Sequence, residues 1–92
     1  ADGFGKLAIL RFATFNCEML IPEPQNPKEV DEDFEKMMSI LKEDHIKRKI
    51  MIQTLEYVSN WYTGLLNTKS AKIYIKKNWL FNEKIAKELK SI

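Results

Sequence analysis

From residue 26 onward the apolar residues recur at the spacing of a helix, and this pattern limits the fold more than any other feature. Asn26-Pro27 opens the first run. Asn can accept hydrogen bonds from the free N–H groups of a helix start, and Pro suits the first helical position, where no N–H is needed. Val30, Phe34, Met37, Met38 and Leu41 then form one stripe, as an amphipathic helix requires. Glu29, Asp31, Glu32 and Asp33 fall in the first turns, where they complement the positive end of the helix dipole. The spacing predicts a helix over 27–43.

Two further segments follow the same rule. Over 44–67, with Asp44 as the cap, Ile50, Met51, Leu55, Tyr57, Val58, Trp61, Tyr62, Leu65 and Leu66 occupy about half of the circumference. So wide an arc is expected to pack against two neighbours at once and to make this the central helix. Gly64 and Asn67 weaken its end. Over 70–92, Ser70 can cap. Tyr74, Phe81, Ile85, Leu89 and Ile92 make a stripe widened by Ile75, Trp79 and Ala86. Asn78 and Asn82 interrupt that stripe, and Asn82 is a point where the helix could restart. Residues 72–76 could alternatively form a short strand, being β-branched and aromatic; the helical spacing continues to the C-terminus and favours a helix.

Ahead of these lies an apolar segment at 5–21. It does not alternate cleanly as a strand, and as a helix it is apolar nearly all round. A helix of that kind must be buried by the other segments or by another chain. The Pro-rich linker 22–27 ends it, because each Pro biases its predecessor away from helical geometry. The expected fold is all-α: one domain over 1–92, a small antiparallel bundle of three long helices plus the N-terminal segment as a fourth. Short connections near Glu43 and Asn67 imply antiparallel neighbours. The chain has 92 residues, 45% of them hydrophobic and only three glycines, which fits a small globular domain and argues against a turn-rich β fold. The longest apolar-rich stretch, 7–21, is broken by Arg11, Asn16 and Glu18, so it does not read as a membrane span.

Little in the sequence points to catalysis. Cys17 and His45 stand alone as thiol and imidazole; the plain readings are a small buried apolar residue and a helix-start residue beside Glu43 and Asp44. Asp31, Asp33 and Glu35 alternate as a calcium loop begins, but lack its glycine and run on into an apolar stripe. His45, Glu43 and Asp44 lack a third metal ligand on a common side. Gly3 and Gly5 follow no strand, so they do not form a phosphate loop. The sequence therefore implies no enzyme, no metal site and no cofactor. A single cysteine excludes an internal disulfide and favours a reducing, intracellular setting. The start at Ala1-Asp2 also fits a cut fragment or a processed mature chain.

Two surfaces remain. Ile73 and Leu80 face away from the core stripe of the last helix, among lysines, and Ile52 is similarly placed on the third. With Trp61, Tyr62 and Trp79 as aromatic anchors, these residues suggest a helix-mediated interface with another protein chain, as a subunit, an excised domain or a homodimer. The alternative is a small basic nucleic-acid-binding domain using Lys47, Arg48 and Lys49 with Lys72, Lys76, Lys87 and Lys90. Against it stand a net charge of only +2, interspersed Glu83 and Glu88, and a single arginine in those clusters. A third reading is a secreted helical effector.

Overall fold

Asn26 caps as its side chain permits. Its Oδ1 accepts from the Glu29 N–H at 2.9 Å, and the Glu29 carboxylate in turn accepts from the Gln25 N–H at 2.7 Å. This reciprocal arrangement resembles a capping box shifted by one residue. The computed structural model describes residues 2–66 and 73–92, with side chains over 5–64 and 76–92. Four helices follow in order: α1 (Asp2–Asn16), α2 (Pro27–Glu43), α3 (His45–Leu66) and α4 (Ile73–Lys90). The chain is an all-α bundle, and its first apolar segment is the fourth helix. Ile73–Lys76 are helical; Lys72, the Ser70 cap and the Asn67 signal lie outside the described residues.

Asp44 is the whole junction between α2 and α3. Its N–H donates to the Ile40 carbonyl, closing α2, and its Oδ1 accepts from the Ile46 and Lys47 N–H groups at 3.1 Å each, opening α3. Arg48 adds a second tie by donating to the free carbonyls of Leu41 and Lys42 at 3.0 and 2.9 Å. A cation is well placed there, at the negative end of α2. α3 and α4 lie antiparallel: the Trp79 Nε1–H donates to Ser59 Oγ, and Lys90 pairs with Glu56 one turn back along α3.

α1 stops five residues before the expected end at Ile21. Glu18 holds φ 54, in the left-handed region that a continuing helix cannot use. The chain then returns in extended form. Arg11 holds this return by pairing with Glu23 at 3.0 Å. It lies along α2, where Leu20, Ile21 and Pro22 face Asp33, Met37 and Ile40. Cys17 and Met19 are still buried. The return also sets direction. Lys6, early in α1, pairs with Asp31, early in α2, while Cys17, just past α1, meets Lys47, just past α2. α1 and α2 therefore run the same way.

The core is built from Ile9, Leu10 and Ala13 of α1, Phe34, Met37 and Leu41 of α2, Met51 and Leu55 of α3, and Ile85 and Leu89 of α4. Each large side chain so buried contributes about 1.5–3 kcal/mol of transfer free energy. α1 touches all three other helices, as does α3. α3 therefore shares the central place expected for it alone, and the all-round apolarity of α1 is explained by three neighbours. Gly5 permits the closest approach. A Cβ there would lie 2.7 Å from Cδ2 of Phe81, whose ring packs on Phe34 at 5.9 Å. α4 is continuous through Asn78 and Asn82, so no restart occurs. Asn82 instead sits in the core, 1% exposed, and neither amide atom has a hydrogen-bond partner among the described residues.

Candidate partner-binding surface

The wide arc of α3 is only half used by the fold. Met51 and Leu55 are buried, and Val58 and Tyr62 are half-buried. Tyr57 and Trp61, on the other side of the same arc, are 77% and 58% exposed. The three helices that α3 touches cover one side of this arc and leave its other edge outside. Ile46, 63% exposed, continues that edge toward the start of α3, while Ile50 between them packs against the core. Residues 46, 50, 57 and 61 follow the four- and seven-residue spacing that keeps side chains on one line of a helix. Exposed Gln53 and Asn60 complete the line, which ends at exposed Gly64. The line carries no carboxylate. At its edge the Asn16 amide donates to Thr54 Oγ1 at 3.4 Å, which brings the end of α1, with exposed Phe15, alongside.

The residues singled out from sequence divide. Trp61 belongs to this ridge, and the Tyr62 ring lies 5.3 Å from it, tilted by 45°. Burial raises the Tyr62 phenol above its ordinary pKa. Leu80 is half exposed on the outer face of α4, where Lys76, Lys84 and Lys87 are also exposed. Ile52 is not stranded: it packs against the core, because α3 has neighbours on that side as well. Trp79 is no free anchor, since its indole N–H is held by Ser59 at 2.7 Å and Ser59 donates onward to Glu83. The side chain of Ile73 lies outside the described residues. Ile46 and Tyr57 were missed. Tyr57 shares an arc with true core residues, and Ile50, one heptad before it, packs against the core, so spacing alone does not mark it as exposed.

The basic residues do not form one face. Lys47 donates from Nζ to the Cys17 carbonyl at 2.9 Å, and Arg48 is spent on the end of α2. Lys90 pairs with Glu56 at 3.3 Å. Lys49, Lys76 and Lys87 are exposed on two different helices, and Lys72 lies outside the described residues. A chain that tracks phosphates needs its cations free and aligned, and three of the seven serve the fold instead.

Chemistry is no better supplied elsewhere. Among the described residues no three His, Cys, Asp or Glu side chains gather as metal ligands. The Cys17 thiol is buried against the Lys47 carbonyl; burial pushes its pKa up and nearby Lys47 only partly offsets this, so it stays a protonated thiol. The polar groove between α3 and α4 holds groups already joined to one another, Ser59 with Glu83 and Glu56 with Lys90. Among the described residues no helix is long and apolar enough to cross a membrane. Comparison with protein-family models, with curated proteins and with solved structures finds no match for this chain.

Proposed function

We propose that this chain is a non-enzymatic protein-interaction module that offers the exposed ridge of α3 to another protein chain. The observation that carries the reading is the exposure of two large aromatics, Tyr57 and Trp61, on successive turns of one helix. Scattered exposed apolar residues are ordinary, but aligned aromatics are the side chains that dominate interface energetics when covered. The missing charge along the ridge supports the same reading, because charged groups are depleted at interface centres. Half-exposed Leu80 among the lysines of α4 is a second, smaller apolar point, and it faces a more polar surround.

The test is capture of partners from source-cell lysate by the immobilised chain, with nuclease present and at 0.15 and 0.5 M salt. Capture that survives both and is lost on Trp61→Glu supports the proposal. Capture that vanishes with nuclease or salt, or that Trp61→Glu and Tyr57→Glu both leave unchanged, overturns it.

A further inference from the structure

We infer that the outer face of α4 is a second docking surface, and that its occupant is an acidic amphipathic helix of another protein. The inference goes beyond the ridge of α3 and does not depend on it.

The cations expected from sequence are dispersed, but α4 gathers a set of its own. Lys76, Lys77, Lys84 and Lys87 are all exposed. At about 100° per residue they share roughly 100° of the circumference, over about 17 Å of helix. Among the described residues none of the four enters an ion pair, whereas Lys90, on the flank of the same helix, is held by Glu56. Carboxylates border this face without entering it. Glu83 turns to α3, where it accepts from Ser59 at 3.3 Å, and Glu88 falls on the opposite flank by the same spacing. The chain is +2 overall, so with four positive charges here the rest of it is −2. An anionic partner is therefore steered to this face and away from the remainder.

Leu80 decides the kind of anion. It stands amid the four lysines and is 49% exposed. A phosphate backbone offers nothing apolar to cover it, and α4 has no arginine, the side chain that most often reads a base edge. A bilayer surface would gain about 1 kcal/mol per lysine, but one half-exposed leucine gives little apolar area to insert. An acidic helix meets both features. It sets an apolar side chain on Leu80 and carboxylates on the ammonium groups, while the aliphatic stems of the lysines widen the apolar contact.

Paired helices of this kind are apolar along the seam and opposite in charge along its edges. Ile73 stands one heptad before Leu80, in register with such a seam. The chain does not itself supply the acidic helix. Lys28, Lys36 and Lys42 are exposed among the acids of α2, and they would meet the lysines of a second copy's α4.

The test is fluorescence anisotropy of a labelled peptide of three Leu-Glu-Glu-Ala-Leu-Glu-Glu heptads, titrated with the purified chain at 0.05 and 0.3 M salt. The same peptide with Gln for Glu is the neutral control, and a 20-bp DNA duplex and phosphatidylserine vesicles are the rival anions. The acidic peptide should bind, and should lose at least about tenfold in affinity at the higher salt. Lys84→Glu with Lys87→Glu should cost a similar factor. Lys28→Glu with Lys36→Glu makes the same change in net charge on α2 and should cost less than about threefold. Leu80→Gln should cost about fivefold at either salt, because apolar burial is not screened. Trp61→Glu should leave peptide binding unchanged, which keeps this face distinct from the α3 ridge. Equal binding of the neutral peptide, indifference to the α4 reversals, or loss of binding with Trp61→Glu overturns the inference. So does tighter binding to the duplex or the vesicles than to the peptide at the same salt, or a salt-sensitive dimer of the chain alone.

Discussion

Replacing Asn82 by leucine should make this protein more stable. The Asn82 side chain is 1% exposed, and its Nδ2 and Oδ1 have no partner among the described residues. A buried polar group left unpaired costs about 1–3 kcal/mol, and both amide atoms are in that position. Leucine has nearly the same length, removes both orphans and favours the helix interior by up to about 0.5 kcal/mol. Against this stands the misfit of a branched apolar tip in a site shaped for an amide, up to about 1.5 kcal/mol. The net expectation for Asn82→Leu is about 1–3 kcal/mol of added stability, a rise in Tm of roughly 5–20 °C for a chain of this size. Urea denaturation followed by circular dichroism measures the free energy, and a thermal scan checks the shift. Asn82→Asp bounds the reasoning from the other side: it puts a carboxylate where nothing compensates it and should be strongly destabilising at neutral pH. A loss of more than about 1 kcal/mol in Asn82→Leu would show that the amide is hydrogen-bonded in the folded protein, and the account of Asn82 as an orphan would be wrong.

Three other outcomes follow from the caps and the thiol. Asn26→Ala should cost about 1 kcal/mol, with Asn26→Asp close to neutral, since only the acceptor for the Glu29 N–H matters; equal urea midpoints for the two variants would count against the cap. Arg48→Ala should cost about 1–2 kcal/mol through its bonds to the Leu41 and Lys42 carbonyls, and an unchanged midpoint would show that water replaces it without penalty. Cys17 gives a pH dependence whose sign is fixed. Its folded pKa lies above the ordinary value of 9.0, so above 9.0 the unfolded chain ionises first. Its contribution is full below pH 9.0 and is lost as the pH rises beyond it. The stability difference between the native chain and Cys17→Ala should thus be flat from pH 6 to 8 and shrink toward pH 10; a difference that grows would contradict the burial of the thiol.

How far the sequence reaches depends on how wide each apolar pattern is. All five residues of the α2 stripe, Val30, Phe34, Met37, Met38 and Leu41, are buried. A narrow stripe can face only one way, and Asn26-Pro27 and Asp44 fix its ends by local hydrogen bonds alone. α3 is the opposite case. Periodicity groups Tyr57 and Trp61 with Val58 and Tyr62, but an arc of half the circumference does not reveal which edge its neighbours cover. Ile52 shows the same gap from the other side, read as stranded and found against the core.

Local sequence determined the helical class, the caps at Asn26 and Asp44 and the bounds of α2, because capping and 3.6-residue spacing act between residues a few positions apart. Tertiary structure alone decided the rest. The left-handed turn at Glu18 and the extended return along α2 set α1 and α2 in the same direction. The packing of α1 against three helices took up most of its all-round apolarity, with Phe15 near its end left exposed. Lys47 and Arg48 were drawn onto the backbone carbonyls of Cys17, Leu41 and Lys42. What remained uncovered, the ridge from Ile46 to Gly64, is a property of where four helices come to rest. No spacing rule within one helix contains it, since burial depends on residues distant in sequence and near in space.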